Sequence, residues 1–258
     1  MIELEKTAQV WCIYGNLGGG KTLTAVAMAV DALRQGYFVV SNVTLKLDEL
    51  RREMPWVDDM YMRVTVREEV WNYETGDLIS RKDLNPFTIP SGSPRGSGGK
   101  KRVLVILDEC AEWFDQYSNM KDKGISRVMS WLRHSSKRSQ DVIFIVQRRE
   151  YLQKNFRILV SRWVCVDDLA VWRVPFLKMH LPFMGWACLA RVFDKVGNRI
   201  QPLCLVKKSY YGKFYDTAEN LSTFGGESFE YHIPPKVSTF PALALFFWLA
   251  TLILLIFI

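Results

Sequence analysis

Eight consecutive residues, Gly15-Asn16-Leu17-Gly18-Gly19-Gly20-Lys21-Thr22, meet every fixed position of the phosphate-binding pattern G-x-x-x-x-G-K-[ST], the Walker A motif. The four glycines let the backbone curl around a polyphosphate with its N–H groups turned inward, at the positive end of the helix that follows. Lys21 then reaches the β- and γ-phosphates and the Thr22 hydroxyl ligates Mg²⁺. Gly15, Asn16, Leu17, Gly18, Gly19, Gly20, Lys21, Thr22 and Leu23 are therefore the expected nucleotide-binding residues, with ATP and Mg²⁺ as the expected ligands. ATP over GTP is an assumption, because a glycine loop reads phosphates and not bases.

A second chemistry-bearing stretch has the Walker B form: five aliphatic residues, Val103-Leu104-Val105-Ile106-Leu107, run into Asp108-Glu109. A strand buried on both faces delivers such acids to the C-terminal edge of a parallel sheet, where a nucleotide lies. There Asp108 holds Mg²⁺ through water, and Glu109 orients or deprotonates the attacking water. Gln147, the polar end of Val142-Ile143-Phe144-Ile145-Val146, stands where a sensor of the γ-phosphate would; a polar strand cap accounts for it nearly as well. An arginine supplied by a neighbouring subunit often completes such sites, and Arg127, Arg133 and Arg138 are eligible, with Arg133 counted in the catalytic set. Solvation of an outer helix face is the plainer role for each.

The elements that must position these groups are legible around them. Val10–Tyr14 reads as a buried strand, and Leu23–Leu33 as a helix ending near Gly36. Tyr37–Asn42, Met60–Val66 and Trp163–Val166 read as further strands, Leu45–Arg52 as a short helix stopped by Pro55, and Ile125–Arg138 as a basic amphipathic helix. The pattern predicts an α/β P-loop NTPase with a mostly parallel sheet flanked by helices. Residues 85–101, rich in Pro, Gly and Ser, read as a mobile surface insertion carrying Arg95, Lys100 and Lys101. Val174–Ala190 is apolar but broken by two prolines and reads as a hairpin packed on the sheet. Lys207–Thr217 interleaves lysines with Tyr210, Tyr211, Phe214 and Tyr215; it reads as a surface strand or juxtamembrane anchor, with base stacking on nucleic acid as the alternative.

Composition narrows the setting. The chain has 258 residues and a formal charge of +7, room for one large α/β core and a basic balance that by itself selects no partner. Five widely spaced cysteines argue for reduced core residues and against a disulfide framework, and three histidines without ligand spacing argue against a transition-metal centre. Met1–Lys6 is charged and lacks the apolar core of a secretion signal. Phe240–Ile258 carries no charge and is long enough to span a bilayer as a helix. Lys207, Lys208, Lys213 and Lys236 precede it, which predicts a single-pass protein with a cytoplasmic NTPase domain at 1–235 and a transmembrane helix at 240–258.

Taken together, the glycine loop, Leu107-Asp108-Glu109-Cys110-Ala111-Glu112-Trp113-Phe114, the run from Trp131-Leu132-Arg133-His134 to Asp141–Gln147, Tyr215-Asp216-Thr217 and the late apolar segment resemble the zonula occludens toxin family, the gene-I-type assembly proteins of filamentous bacteriophages. The resemblance implies an ATPase of the host bacterial inner membrane that drives extrusion of the phage. Its implied partners are further copies in a ring, a pentamer or hexamer, and the complex of major coat protein with packaged single-stranded DNA. Family members continue past the membrane to meet an outer-membrane channel; this sequence ends at Ile258, so that contact stays open. Two other functions fit the motifs alone: a DNA-translocating ATPase of the conjugation or chromosome-pump type, and a nucleotide-switched scaffold or toxin-like binding module.

Overall fold

The computed structural model describes residues 2–5, 7–72, 75, 77–92, 102–114, 117, 122–169 and 187–215, all within the unit Met1–Asp216. Among the described residues ten strands are formed: β1 (Val10–Tyr14), β2 (Phe38–Ser41), β3 (Tyr61–Arg63), β4 (Arg67–Trp71), β5 (Leu78–Asp83), β6 (Val103–Leu107), β7 (Gln140–Val146), β8 (Arg162–Asp168), β9 (Ala187–Phe193) and β10 (Cys204–Lys207). The helices are α1 (Lys21–Arg34), α2 (Leu47–Glu53), α3 (Lys123–Arg133), α4 (Lys154–Leu159) and α5 (Lys208–Tyr211), with short three-ten turns between. Eight strands make one sheet in the order β10-β9-β8-β1-β7-β6-β2-β3, and β4 and β5 pair as a separate two-stranded ribbon. From β8 to β3 every pairing is parallel; β9 and β10 extend the sheet antiparallel.

The central strands are apolar throughout because both of their faces are covered. Successive side chains of β1 alternate between two cores: Trp11 and Ile13 pack toward α1 with Leu104, Ile106, Ile143 and Ile145. Cys12 and Tyr14 pack toward α3 and α4 with Val105, Leu107, Phe144 and Phe156. Phe114 stacks on Phe156 at 4.7 Å between centroids and meets Phe144 edge-on. Trp131 is fully buried and its indole N–H donates to Gln140 Oε1 at 2.8 Å, so its burial leaves no orphan donor.

Most expected elements form, with differences that have physical causes. The helix expected to reach Arg138 stops at Arg133; Ser136–Arg138 is a three-ten turn, and Ser139 at φ 52° closes the reversal into β7. The insertion expected to be mobile is held over its first half. Ile89 is 1% exposed, Gln140 Nε2 donates to Pro90 O at 2.7 Å, and Arg138 donates to Ser91 Oγ and Ile89 O, both at 3.0 Å. Residues 93–101, with Arg95, Lys100 and Lys101, lie outside the described residues. Of the expected hairpin at 174–190, residues 187–190 open β9 and the rest lie outside them. No described helix is long and apolar enough to cross a membrane, and the span expected at 240–258 lies outside the described residues.

The edge of the sheet where β6 and β7 begin is closed by a buried ion pair. Arg102 donates to Asp141 Oδ2 at 2.5 Å, and Asp141 Oδ1 accepts the Gln9 N–H at 2.9 Å. Removing one member of such a pair strands the other without water. Asp141→Ala is expected to lower unfolding free energy by about 3–5 kcal/mol in denaturant titration; a loss below about 1 kcal/mol would contradict the assignment of this pair as a structural closure.

Candidate active site

β1 delivers the glycine loop and α1 receives it. A Cβ on Gly15 would stand 2.2 Å from the backbone oxygen of Val166, so only glycine lets the loop leave β1 against β8. At Gly20 the backbone has φ 86° and a Cβ would meet Cys188 Sγ at 2.2 Å, a position closed to side chains on both counts. Gly20 is also the N-cap of α1, offers no side-chain cap, and is followed by no acid in the first turn. The first-turn amides and the dipole of this 14-residue helix are thus left for an external anion. The loop holds its own shape through Gly19 N–H to Asn16 O at 3.0 Å, and Lys21 Nζ donates to Asn16 O at 2.9 Å. Leu17, at the loop tip, is exposed, and Leu23 packs into the core beneath it.

The two motifs meet. Thr22 Oγ1 donates to Asp108 Oδ2 at 2.7 Å, across 86 residues of sequence. Asp108 Oδ1 accepts the Glu109 N–H at 2.8 Å, and Glu109, at φ 56° and ψ 35°, turns the chain out of β6 with its side chain at the surface. Burial pushes the Asp108 carboxyl above the usual carboxylate range, partly opposed by the Thr22 hydrogen bond. Burial likewise lowers Lys21, partly opposed by Asp108. A hydroxyl and a carboxylate set side by side form a hard oxygen pair suited to Mg²⁺, which takes one or two protein ligands and fills its shell with phosphate and water. Among the described residues no group of three or more His, Cys, Asp or Glu able to hold a metal is found.

Gln147 follows β7 directly; its carbonyl accepts the Gly15 N–H at 3.3 Å and its side chain is exposed beside the loop. Arg133 is not brought to this edge. It ends α3 next to the turn whose Ser139 O accepts the Val103 N–H at 3.1 Å, where β6 begins, so within one protomer it stands at the opposite end of the sheet. Arg127 is exposed midway along α3, and Arg138 is spent holding residues 87–91.

Two residues at the site carry no motif signal. Asn42, just past β2, uses both ends of its amide on Asp108: Oδ1 accepts the Asp108 N–H at 2.7 Å and Nδ2 donates to Asp108 O at 3.1 Å. Arg149, two residues beyond Gln147, lies 4.1 Å from the Tyr14 ring and 5.0 Å from the Trp163 ring and bonds the Tyr14 hydroxyl, bracing the end of β1. An asparagine after a strand that points at the phosphate edge was the available clue to the first; nothing local marks the second.

Residues 9–176 match the family model described as Zonular occludens toxin (Zot). The chain belongs to the Zot family. Curated relatives include the Gene 1 protein of Enterobacteria phage I2-2, 29% identical over 68% of this chain and 43% of the relative, and that of Escherichia phage If1, 26% identical over 87% and 63%. The Gene 1 protein of Enterobacteria phage fd is 30% identical over 68% of this chain and 45% of its own length. This Zot-family chain therefore spans between 43% and 63% of the length of these relatives. Among solved structures, the N-terminal domain of zonular occludens toxin from Neisseria meningitidis aligns over 81% of this chain and 100% of its own, at 14% identity and a TM-score of 0.45.

If the loop is shaped as described, Gly20→Ala should abolish detectable binding of a fluorescent ATP analogue. Cys188→Ala should restore it only in part, leaving affinity about 5–30-fold below wild type, since removing the sulfur relieves the clash but not the left-handed backbone, a strain on the order of 1–2 kcal/mol. Full rescue by Cys188→Ala would contradict this geometry.

Proposed function

We propose that this chain is a membrane-anchored ATPase that drives assembly and extrusion of a filamentous phage through the host bacterial inner membrane. The observation that carries the reading is the 2.7 Å contact between Thr22 and Asp108, which joins the phosphate loop to the acid pair in one site. Membership of the Zot family and the matches to phage Gene 1 proteins supply the biological setting.

In the proposed cycle, the loop amides and the open N-terminus of α1 bind the phosphates of ATP. Lys21 gives up its bond to Asn16 O for phosphate oxygens, which returns a counter-charge to a lysine whose charged form is disfavoured by burial. Thr22 Oγ1 would hold Mg²⁺ directly and the Asp108 carboxylate through water, and Leu23 carries the loop into α1. Bound there, the ion supplies charge neutralisation for the phosphates during transfer. Glu109 orients the attacking water and takes its proton, and Gln147 senses the γ-phosphate.

The proposal extends to the assembly: a homo-oligomeric ring, pentameric or hexameric, with Arg133 of each protomer offered to its neighbour. Residues 1–235 form the cytoplasmic motor and 240–258 its transmembrane anchor, acting on major coat protein and packaged single-stranded DNA. Contact with an outer-membrane channel would need residues beyond the span.

Lys21→Ala should abolish both ATP turnover and virion release. Glu109→Gln should retain nucleotide binding while turnover falls by about 10²–10⁴, the usual worth of a positioned general base. Virion release by Lys21→Ala at the wild-type level would overturn the motor role.

A further inference from the structure

The segment Lys207–Thr217 reads in sequence as a surface strand or juxtamembrane anchor, with base stacking as the alternative, and it is described as far as Tyr215. Instead it is strapped across α1, the helix that carries Lys21 and Thr22. Tyr211 OH donates to Asp31 at 3.2 Å, Lys208 Nζ pairs with Asp168 at 2.7 Å, and Lys213 Nζ pairs with Glu53 of α2 at 3.0 Å. Glu53 also accepts from Arg34 at 2.6 Å and from the Tyr210 hydroxyl at 3.3 Å. Phe214 is fully buried, and Tyr210 packs edge-on against both Tyr211 and Phe214.

The end of this strap joins the loop that follows β2. Lys46 N–H donates to Phe214 O at 2.8 Å, and Leu45 forms an antiparallel bridge with Tyr215. Three residues before Leu45 stands Asn42, whose amide clamps the Asp108 backbone at both its N–H and its carbonyl. Asn42 N–H also donates to Ile106 O at 3.3 Å, so the loop is seated on β6 from its first residue. The requirement at this position is chemical: one donor and one acceptor on a short planar group. An aspartate supplies only the acceptor and an alanine neither.

We propose that Asn42 is a positioning residue for Asp108 and Glu109, and that the strap of residues 207–215 sets the loop that carries it. A change in how the strap is held is then felt at the acid pair through residues 42–46. The kinetic part of this inference rests on the ATPase reading; the coupling does not.

The test uses the full chain in detergent and two readouts, amide hydrogen exchange without nucleotide and steady-state ATP turnover. Asn42→Ala should raise exchange at Asp108 and Glu109 and lower kcat about tenfold or more, with KM for ATP within about twofold, since two hydrogen bonds to the acid-bearing backbone are lost and none to the phosphate loop. Asn42→Asp, which keeps the acceptor but sets a carboxylate oxygen against Asp108 O, should also raise exchange at Asp108 and Glu109 and lower kcat, and it carries the same test if Asn42→Ala does not fold. Glu53→Ala, which frees Lys213 and Tyr210 from α2 far from the acids, should raise exchange in 42–46 and 106–110 together while β7 stays protected. Unchanged exchange at 106–110 in Glu53→Ala overturns the coupling, and wild-type exchange and kcat in Asn42→Ala overturn the positioning role. A wild-type protein that turns over no nucleotide would defeat the ATPase reading, and the exchange comparison would still decide the coupling.

Discussion

The hydrogen bond from the Thr22 hydroxyl to Asp108 Oδ2 is possible only because three strands end in a fixed stagger. β1 and β6 are not neighbours; β7 lies between them, parallel to both. Leu107, the last residue of β6, pairs with Phe144, which pairs in turn with Cys12, so β6 ends while β7 and β1 each run two residues further. Asp108 therefore leaves the sheet below the level of Gly15. There it meets the first turn of α1, and the glycine loop passes overhead. A slip of one residue between β6 and β7 would turn every side chain of β6 to the other core and carry the carboxylate away from Thr22.

The same stagger sets the electrostatics. Asp108 is 7% exposed, and burial disfavours its charged form just as it disfavours that of Lys21. Each partly relieves the other, and the uncapped N-terminus of α1 adds a positive potential that no side chain in its first turn answers. The site is thus poised for a ligand that brings both a negative group for Lys21 and the helix, and a cation for Asp108 and Thr22. A phosphate with its divalent ion meets both needs together, whereas a bare anion or a bare cation meets only one.

Much of this was open to reading because the signals are local. The glycine spacing, the aliphatic run before Asp108-Glu109 and the apolar β7 each report a strand buried on two faces, and such runs name their own place in a parallel sheet. What escaped depends on partners distant in sequence. β9 and β10 join antiparallel on the far side of β8, a pairing that no periodicity in Ala187–Lys207 announces. The rings of Lys207–Tyr215 look available in sequence but are taken up by α1 and by one another. Arg138 resembles any solvated helix cation until residues 87–91 fold over it. Asn42 offers in sequence only its place after a strand: its amide mimics one more backbone pairing between β2 and β6, and only the sheet order makes those two strands neighbours.

The account stands on Thr22 and Asp108 acting as one unit toward a phosphate-bound cation, and a double-mutant cycle measures that directly. Calorimetric affinities for ATPγS with and without Mg²⁺ would be compared in wild type, Thr22→Val, Asp108→Asn and the double variant. The account predicts that each single change removes most of the Mg²⁺-dependent gain and that the double variant loses little more, a coupling of about 1 kcal/mol or greater. Losses that add independently, or a Mg²⁺ gain that survives in both single variants, would contradict it.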